Sequence, residues 1–235
     1  MGKRKQHAVS ILDGQNDSSV EENFRTKISE SLSGEEEKEN SEENNLNVDK
    51  EKIVVDLGLD ISTATVGVCL LEQKTGKLKL LTHKKLTKFE DEYAKAENFD
   101  IEALGVSKDK YIISRIFIEE AAKKFSPGFS SASTIMTLGR FNGIISYMVY
   151  SCFGVKPVMI NVRSARAKLG IKIDSKDKSK TTKQKILEAV LSMHPDDKWW
   201  DVKKIDSNGF PQYSKANEDR ADSYVICRGG QLITP

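Results

Sequence analysis

Cysteine is scarce in this chain. Its three copies, Cys69, Cys152 and Cys227, stand far apart with no Cys-x-x-Cys spacing. That excludes a thiolate zinc site and a disulfide framework, and it fits a reducing compartment. Histidine is equally sparse: His7, His83 and His194 show no metal-ligand spacing. No apolar run is long enough for a membrane span, because the longest stretch, 143–160, is broken by Ser146, Tyr147, Gly154, Lys156 and Pro157. An apolar leader region is missing after Lys3-Arg4-Lys5, so no secretory signal is expected. The expectation is a soluble intracellular protein of cytoplasm or nucleoid, or of an infected cell if viral. The basic start leaves nuclear or organellar targeting open.

A strong net charge is also lacking, at +2 over 235 residues, but the average conceals a division. Residues 1–52 hold 13 acids and 8 bases, which leaves 22 acids and 29 bases of the totals 35 and 37 for the rest. The body is therefore basic, as suits a polyanionic partner. Residues 1–50, rich in Glu, Ser and Asn and including Glu35-Glu36-Glu37-Lys38-Glu39, have too little apolar surface to offset their ordering entropy. They are expected to be a disordered acidic tail before a single domain at 51–235, with 38% hydrophobic content overall to build a core.

The pattern changes at Glu51. Strands are expected at Ile53–Asp60, at Thr65–Leu71 and, after the turn Lys74-Thr75-Gly76-Lys77, at Leu78–His83. Leu86–Leu104 has helical spacing, and Tyr111–Glu119 reads as a buried strand. Ser130–Phe153 reads as a long helix, with Leu138, Phe141, Ile145, Met148 and Cys152 recurring at three and four residues. Val155–Val162 is expected as a strand, and Thr181–Met193 and Asp219–Arg228 as helices. Together these give a mixed α/β layer fold.

Against this background four acids stand out. Asp60 closes the apolar run beginning at Ile53, Glu119 closes the one ending at Ile118, and Asp219 and Asp222 open the last helix on one face. A carboxylate at the end of a buried strand is costly unless paired or bound to a cation. Several together repel, and a divalent metal relieves that. Strand alternation favours Glu119 over Glu120 as the ligand.

Leu57-Gly58-Leu59-Asp60-Ile61-Ser62-Thr63 alone matches both actin-like ATPases and RNase H-like nucleases. The sequence has no glycine-rich adenosine loop, and the later acids follow the nuclease order. With Phe117-Ile118-Glu119-Glu120, the helix bearing Leu138-Gly139-Arg140, and Asp219-Arg220-Ala221-Asp222-Ser223, the chain resembles the RuvC family of Holliday-junction resolvases from Ile53 to Ile226. The resemblance implies an α/β, RNase H-like mixed β-sheet flanked by helices. It implies a homodimer, built partly on the helix at 130–153, that nicks branched DNA as a crossover junction endodeoxyribonuclease. Asp60, Glu119, Asp219 and Asp222 match the family's catalytic acids, with two magnesium ions per site and manganese able to substitute. Lys183 matches its active-site lysine. An RNase H-like nuclease acting on RNA–DNA hybrids or flaps, and a non-catalytic structure-specific DNA-binding protein, remain as alternatives.

Arg163, Arg166, Lys168, Lys178, Lys180 and Lys185 fall in or near the family's basic DNA-contacting segment, a density able to neutralise several phosphates. Two features depart from the family, the acidic tail and an insertion at 195–216. Trp199-Trp200 within that insertion either packs as core or stacks on an unpaired base.

Overall fold

A computed structural model describes residues 51–120, 132–174, 176–207, 209 and 211–234; the acidic segment 1–50 lies outside the described residues. Five strands form one sheet: β1 (Ile53–Ile61), β2 (Thr65–Glu72), β3 (Leu78–Lys85), β4 (Tyr111–Glu119) and β5 (Val158–Ile160). Their order is β3-β2-β1-β4-β5. β2 pairs antiparallel with both β1 and β3, whereas β4 runs parallel to β1 and β5 parallel to β4. This is the RNase H-like α/β arrangement, a mixed sheet flanked by helices. Gly76, at φ +69, closes the β2–β3 turn as its place in the sequence requires.

Alternation along β1 divides the chemistry from the packing. Val55, Leu57 and Leu59 point to one face and join Phe141, Ile145 and Val149 of α2 (Ala132–Phe153). Asp56, Gly58 and Asp60 point to the other, beneath α5 (Ala216–Ile233). That helix rides directly on the sheet. A Cβ on Gly58 would lie 2.3 Å from Cys227 Cβ, and one on Gly67 2.2 Å from the Asp219 carbonyl oxygen. The two glycines set how close Asp219 and Asp222 come to β1. Phe117, Ile160, Ile186 and Val225 are buried on this side.

The β1–β4 register slips by one residue between Val55 and Asp56. Val55 faces Ile113, but Asp56 faces Arg115, leaving Ser114 as a bulge. The slip matches Leu59 with Ile118, so Asp60 and Glu119 are the next pair of positions in register. It also places Arg115 over the fully buried Asp56, with Nε 3.1 Å from Oδ1 and a terminal nitrogen 2.7 Å from Oδ2. Gln231 Nε2 donates to the same Oδ2 at 2.8 Å, and Arg115 also donates to the Thr234 carbonyl.

Several expected elements differ in extent. The stretch 86–104 contains only the short helix α1 (Glu92–Glu97), capped by Asp91, whose side chain accepts from the amides of Tyr93 and Ala94. The following turns send Phe99, Ile101 and Val106 into the core, which a continuous helix could not do. The expected strand at 155–162 shortens to β5. Pro157 offers no amide, and Asn161 caps a new helix, α3 (Val162–Lys168). The helix at 181–193 becomes α4 (Thr182–Met193), with Thr181 outside it in a reciprocal capping box with Gln184. α5 outruns its expected end, and Gly229 and Gly230 beyond Arg228 are contact points: a Cβ there would strike Ala165 and Phe117. The insertion folds into a 3-10 turn (Asp197–Trp199) and a hairpin, β6 (Val202–Ile205) with β7 (Pro211–Tyr213). No helix among the described residues is long and apolar enough to cross a membrane.

Candidate active site

Three elements deliver the four acids. Asp60 comes from the end of β1, Glu119 from the end of β4, and Asp219 and Asp222 from the first two turns of α5. Asp60 and Asp222 are 7% and 4% exposed. Desolvation favours their neutral forms. Asp60 is pushed well above the usual carboxylate range by burial first, then by the charges of Asp222 and Glu119 and a hydrogen bond with Glu119. Asp222 is pushed up to about 6, with burial the largest cause, although Lys183 and Arg166 act against it. The acids expected to converge therefore do converge.

Two cations meet them. Lys183 Nζ, from the first turn of α4, lies 2.8 Å from Asp219 Oδ1 and 3.5 Å from Asp222 Oδ2. Burial opposes its charge, but the bond to Asp219 and the fields of Asp60, Asp222 and Asp219 hold its pKa above the ordinary lysine value. Arg166 of α3 approaches Asp222 Oδ1 to 3.6 Å. That oxygen and Arg166 Nε are both buried without a hydrogen-bond partner.

Does this set suit a divalent cation? Among the described residues no three His, Cys, Asp or Glu side chains form a ready-made cage, and the Lys183 ammonium bridges two of the acids instead. Yet four carboxylates face two cationic side chains, an excess of two negative charges when all are ionised. The donors are all oxygen, the choice of magnesium or manganese rather than of softer metals. Asp222 Oδ1, which accepts no hydrogen bond and meets only the Arg166 charge at 3.6 Å, keeps a lone pair for a cation. The residues fit such an ion.

The basic segment is less uniform than the sequence suggests. Arg163, Lys168 and Lys178 are exposed. Arg166 instead turns inward to Asp222, with a side chain only 20% exposed. Lys185 is tied to the carbonyls of Asp174 and Asp177 at 2.9 and 2.6 Å and to the Asp177 carboxylate at 2.9 Å, so it organises its loop. Lys180 pairs with Glu188 at 2.7 Å, a half-exposed contact of little net worth. Trp200 is buried, its Nε1 donating to the His194 carbonyl at 2.8 Å, so that ring is core and not a stacking platform.

Sequence reading passed over His83 and Arg220. Arg220 Nε donates to His83 Nδ1 at 3.0 Å, and its terminal nitrogens reach the Trp199 carbonyl and Asp201 Oδ1 at 2.8 and 2.9 Å. Burial and the neighbouring Arg220 charge lower the His83 pKa, which keeps the imidazole a neutral acceptor. Nothing in the sequence signals this role for Arg220, because its partners His83, Trp199 and Asp201 lie 137, 21 and 19 residues away.

No protein-family profile matches the sequence, and no curated protein does. Solved structures do. In fold the chain is similar to the RuvC-type resolvases. Thermus thermophilus RuvC bound to a Holliday-junction substrate aligns over 75% of this chain and 91% of its own, at 12% identity and TM-score 0.49. The same protein in a second structure aligns over 74% and 92%, at 14% identity and TM-score 0.47. The yeast mitochondrial Holliday junction resolvase aligns over 77% and 81%, at 15% identity and TM-score 0.44.

Proposed function

We propose that this chain is a divalent-metal-dependent endonuclease that resolves branched DNA, Holliday junctions above all, by hydrolysing a pair of phosphodiesters. One observation carries the reading: four carboxylates from two strand ends and one helix share a buried cluster with Lys183, and their charge is not balanced by the protein. A divalent cation would relieve the repulsion among these carboxylates at neutral pH, as protonation of Asp60 and Asp222 does in its absence, and a phosphodiester brought to bound cations meets the electrostatics that its hydrolysis needs.

Asp60, Glu119, Asp219 and Asp222 would hold magnesium, with manganese as a substitute. When bound, the metal supplies Lewis-acid polarisation of the phosphate and a water of lowered pKa. The protein's own groups do the rest. Asp60 and Glu119 are fixed by strand pairing, so they need little reorganisation as substrate enters. Lys183 sits on the half-exposed side of the cluster, where its ammonium can move from Asp219 to a non-bridging phosphate oxygen as negative charge develops. Arg163, Lys168 and Lys178 lie outward and suit the flanking backbone.

Paired nicks need two sites. The outward face of α2 exposes Met136, Tyr147 and Tyr150, and among the described residues no atom lies within 4 Å of a Cβ placed on Gly139 or Gly143. That unpartnered face supports a homodimer built on α2. The test is purified protein on a synthetic four-way junction with magnesium. Wild type should nick two opposed strands, and Asp60→Asn should bind the junction without cutting. Absence of nicking on any branched DNA overturns the reading; preference for an RNA–DNA hybrid would keep the site and change the substrate.

A further inference from the structure

The hairpin inserted between α4 and α5 is attached to the very turns that carry Asp219 and Asp222. Two strands of four and three residues are not stable alone. This pair is held from its base. Asn217 closes a two-bond ring with the backbone of Asp201, its amide oxygen accepting from the Asp201 nitrogen and its amide nitrogen donating to the Asp201 carbonyl, both at 3.0 Å. The Ser214 nitrogen donates to that same carbonyl at 2.9 Å. Arg220 grips the Trp199 carbonyl and the Asp201 carboxylate, and Trp200 is sunk in the core below. In α5, then, residues 219 and 222 serve the acid cluster, while 217 and 220 hold the hairpin. The charges of Arg220, Asp201, Lys85 and Asp219 all act on the single imidazole of His83, so the hairpin base and the end of β3 adjoin the cluster.

What the hairpin presents outward is basic and partly apolar. All four residues of β6 are exposed, Ile205 to 60%. Lys203 and Lys204 make no ion pair among the described residues, whereas Asp201 is consumed by Arg220. The β6–β7 register slips at Lys203, so this residue is a bulge that faces no partner. Lys85, also exposed, continues the basic edge from β3. β3 and β5 are opposite edges of the sheet, and Arg163 and Lys168 lie on α3, just after β5. The acids thus sit between two basic banks.

We propose that the β6–β7 hairpin, with Lys203 and Lys204, is a nucleic-acid-binding wing that holds the sugar–phosphate backbone of branched DNA on the β3 side of the acid cluster. The proposal rests on the nuclease reading above. A rigid base and free cations suit a polyanion whose path must be fixed relative to Asp219; a merely solubilising loop needs no clamp from two site-flanking residues. Phosphate contacts of this kind set register and not sequence preference.

The experiment compares wild type, K203A/K204A and the control K74A/K77A, which removes two exposed lysines at the far end of the β2–β3 hairpin. Binding to a four-way junction is measured against salt in calcium, without cutting. For K203A/K204A the slope of log K against log salt should fall in magnitude by about 1.8, roughly 0.9 per phosphate, which from a common value at about 1 M is roughly sixtyfold weaker binding near 0.1 M salt. The control should match wild type. Equal losses in both variants, or none in K203A/K204A, overturn the wing while leaving the nuclease reading intact. So does a shift in oligomeric mass with DNA affinity unchanged, which would make the hairpin a contact between copies. If wild type binds no branched DNA, the nuclease reading fails and the wing with it.

Discussion

Lys183 Nζ lies 2.8 Å from Asp219 Oδ1, joining the first turn of α4 to the first turn of α5. The pair is half-exposed on the lysine side and nearly buried on the aspartate side, at 47% and 17%. It is therefore more than a surface ion pair. Lys183 is the closest cation to the acids, and the one best placed to leave them for a phosphate. Lys183→Met should lower the single-turnover nicking rate by about 10²–10³-fold, the cost of one pre-organised charge at a developing oxyanion. Junction affinity should change little, because one phosphate contact among many is lost. Equal loss of binding and cutting would assign Lys183 to DNA anchoring instead.

The acid cluster also predicts how stability depends on pH. Asp222 has its pKa raised to about 6 from an ordinary 3.8. A raised carboxyl stabilises the fold when protonated: its contribution is complete below 3.8 and is lost as pH rises through about 6. Burial of the charge is the cause, and the shift corresponds to a contribution on the order of 3 kcal/mol. Metal-free protein should therefore melt at a lower temperature at pH 8 than at pH 5, and Asp222→Asn should flatten that difference. Magnesium should raise the melting temperature at pH 8 far more than at pH 5, since protons compete for the same oxygens. A magnesium shift independent of pH would remove these carboxylates from metal binding.

Asp60→Asn separates catalysis from stability. Asp60 is buried among Asp222 and Glu119, which raise its pKa along with desolvation. Replacing it with an amide removes a buried titratable carboxyl and one metal ligand together. Cutting should vanish, while metal-free protein at pH 8 should become more stable by about 1–3 kcal/mol in denaturant titrations. A destabilised Asn variant would mean that Asp60 is satisfied as an ion in the free protein.

The acids were legible because polarity at the end of an apolar strand violates local pattern, and a violation is visible in one dimension. Strand alternation likewise selected Glu119 over its neighbour. The register slip at Ser114 was not legible, although it is what matches Asp60 with Glu119. A bulge depends on which strand pairs with which, and β1 and β4 are some fifty residues apart. Asp56 was passed over for the same reason, since its partners Arg115 and Gln231 are 59 and 175 residues away. The extension of α5 past Arg228 was not legible either, because the propensity penalty of Gly229 and Gly230 is local, whereas the close approach of Ala165 and Phe117 that requires them is not. The inward turn of Arg166 was hidden too, because a basic segment does not declare which of its cations face solvent.

The Asp56–Arg115 pair supports the geometry of the site from below. Asp56 is fully buried, and its oxygens receive bonds from Arg115 and Gln231. Arg115→Ala should cost about 3–5 kcal/mol, since it strands a buried carboxylate. The double variant Asp56→Leu with Arg115→Met should cost much less, because an apolar pair replaces both charges together. Urea unfolding of Asp56→Leu, Arg115→Met and the double measures the coupling, which should reach about 2 kcal/mol or more. The pair lies at the register slip four residues before Asp60. The double variant should therefore also test whether the slip depends on the ion pair. If β1 and β4 keep their register, nicking should persist near the wild-type rate. If the register relaxes by one residue, Ile118 replaces Glu119 beside Asp60, and nicking should be lost in a folded protein.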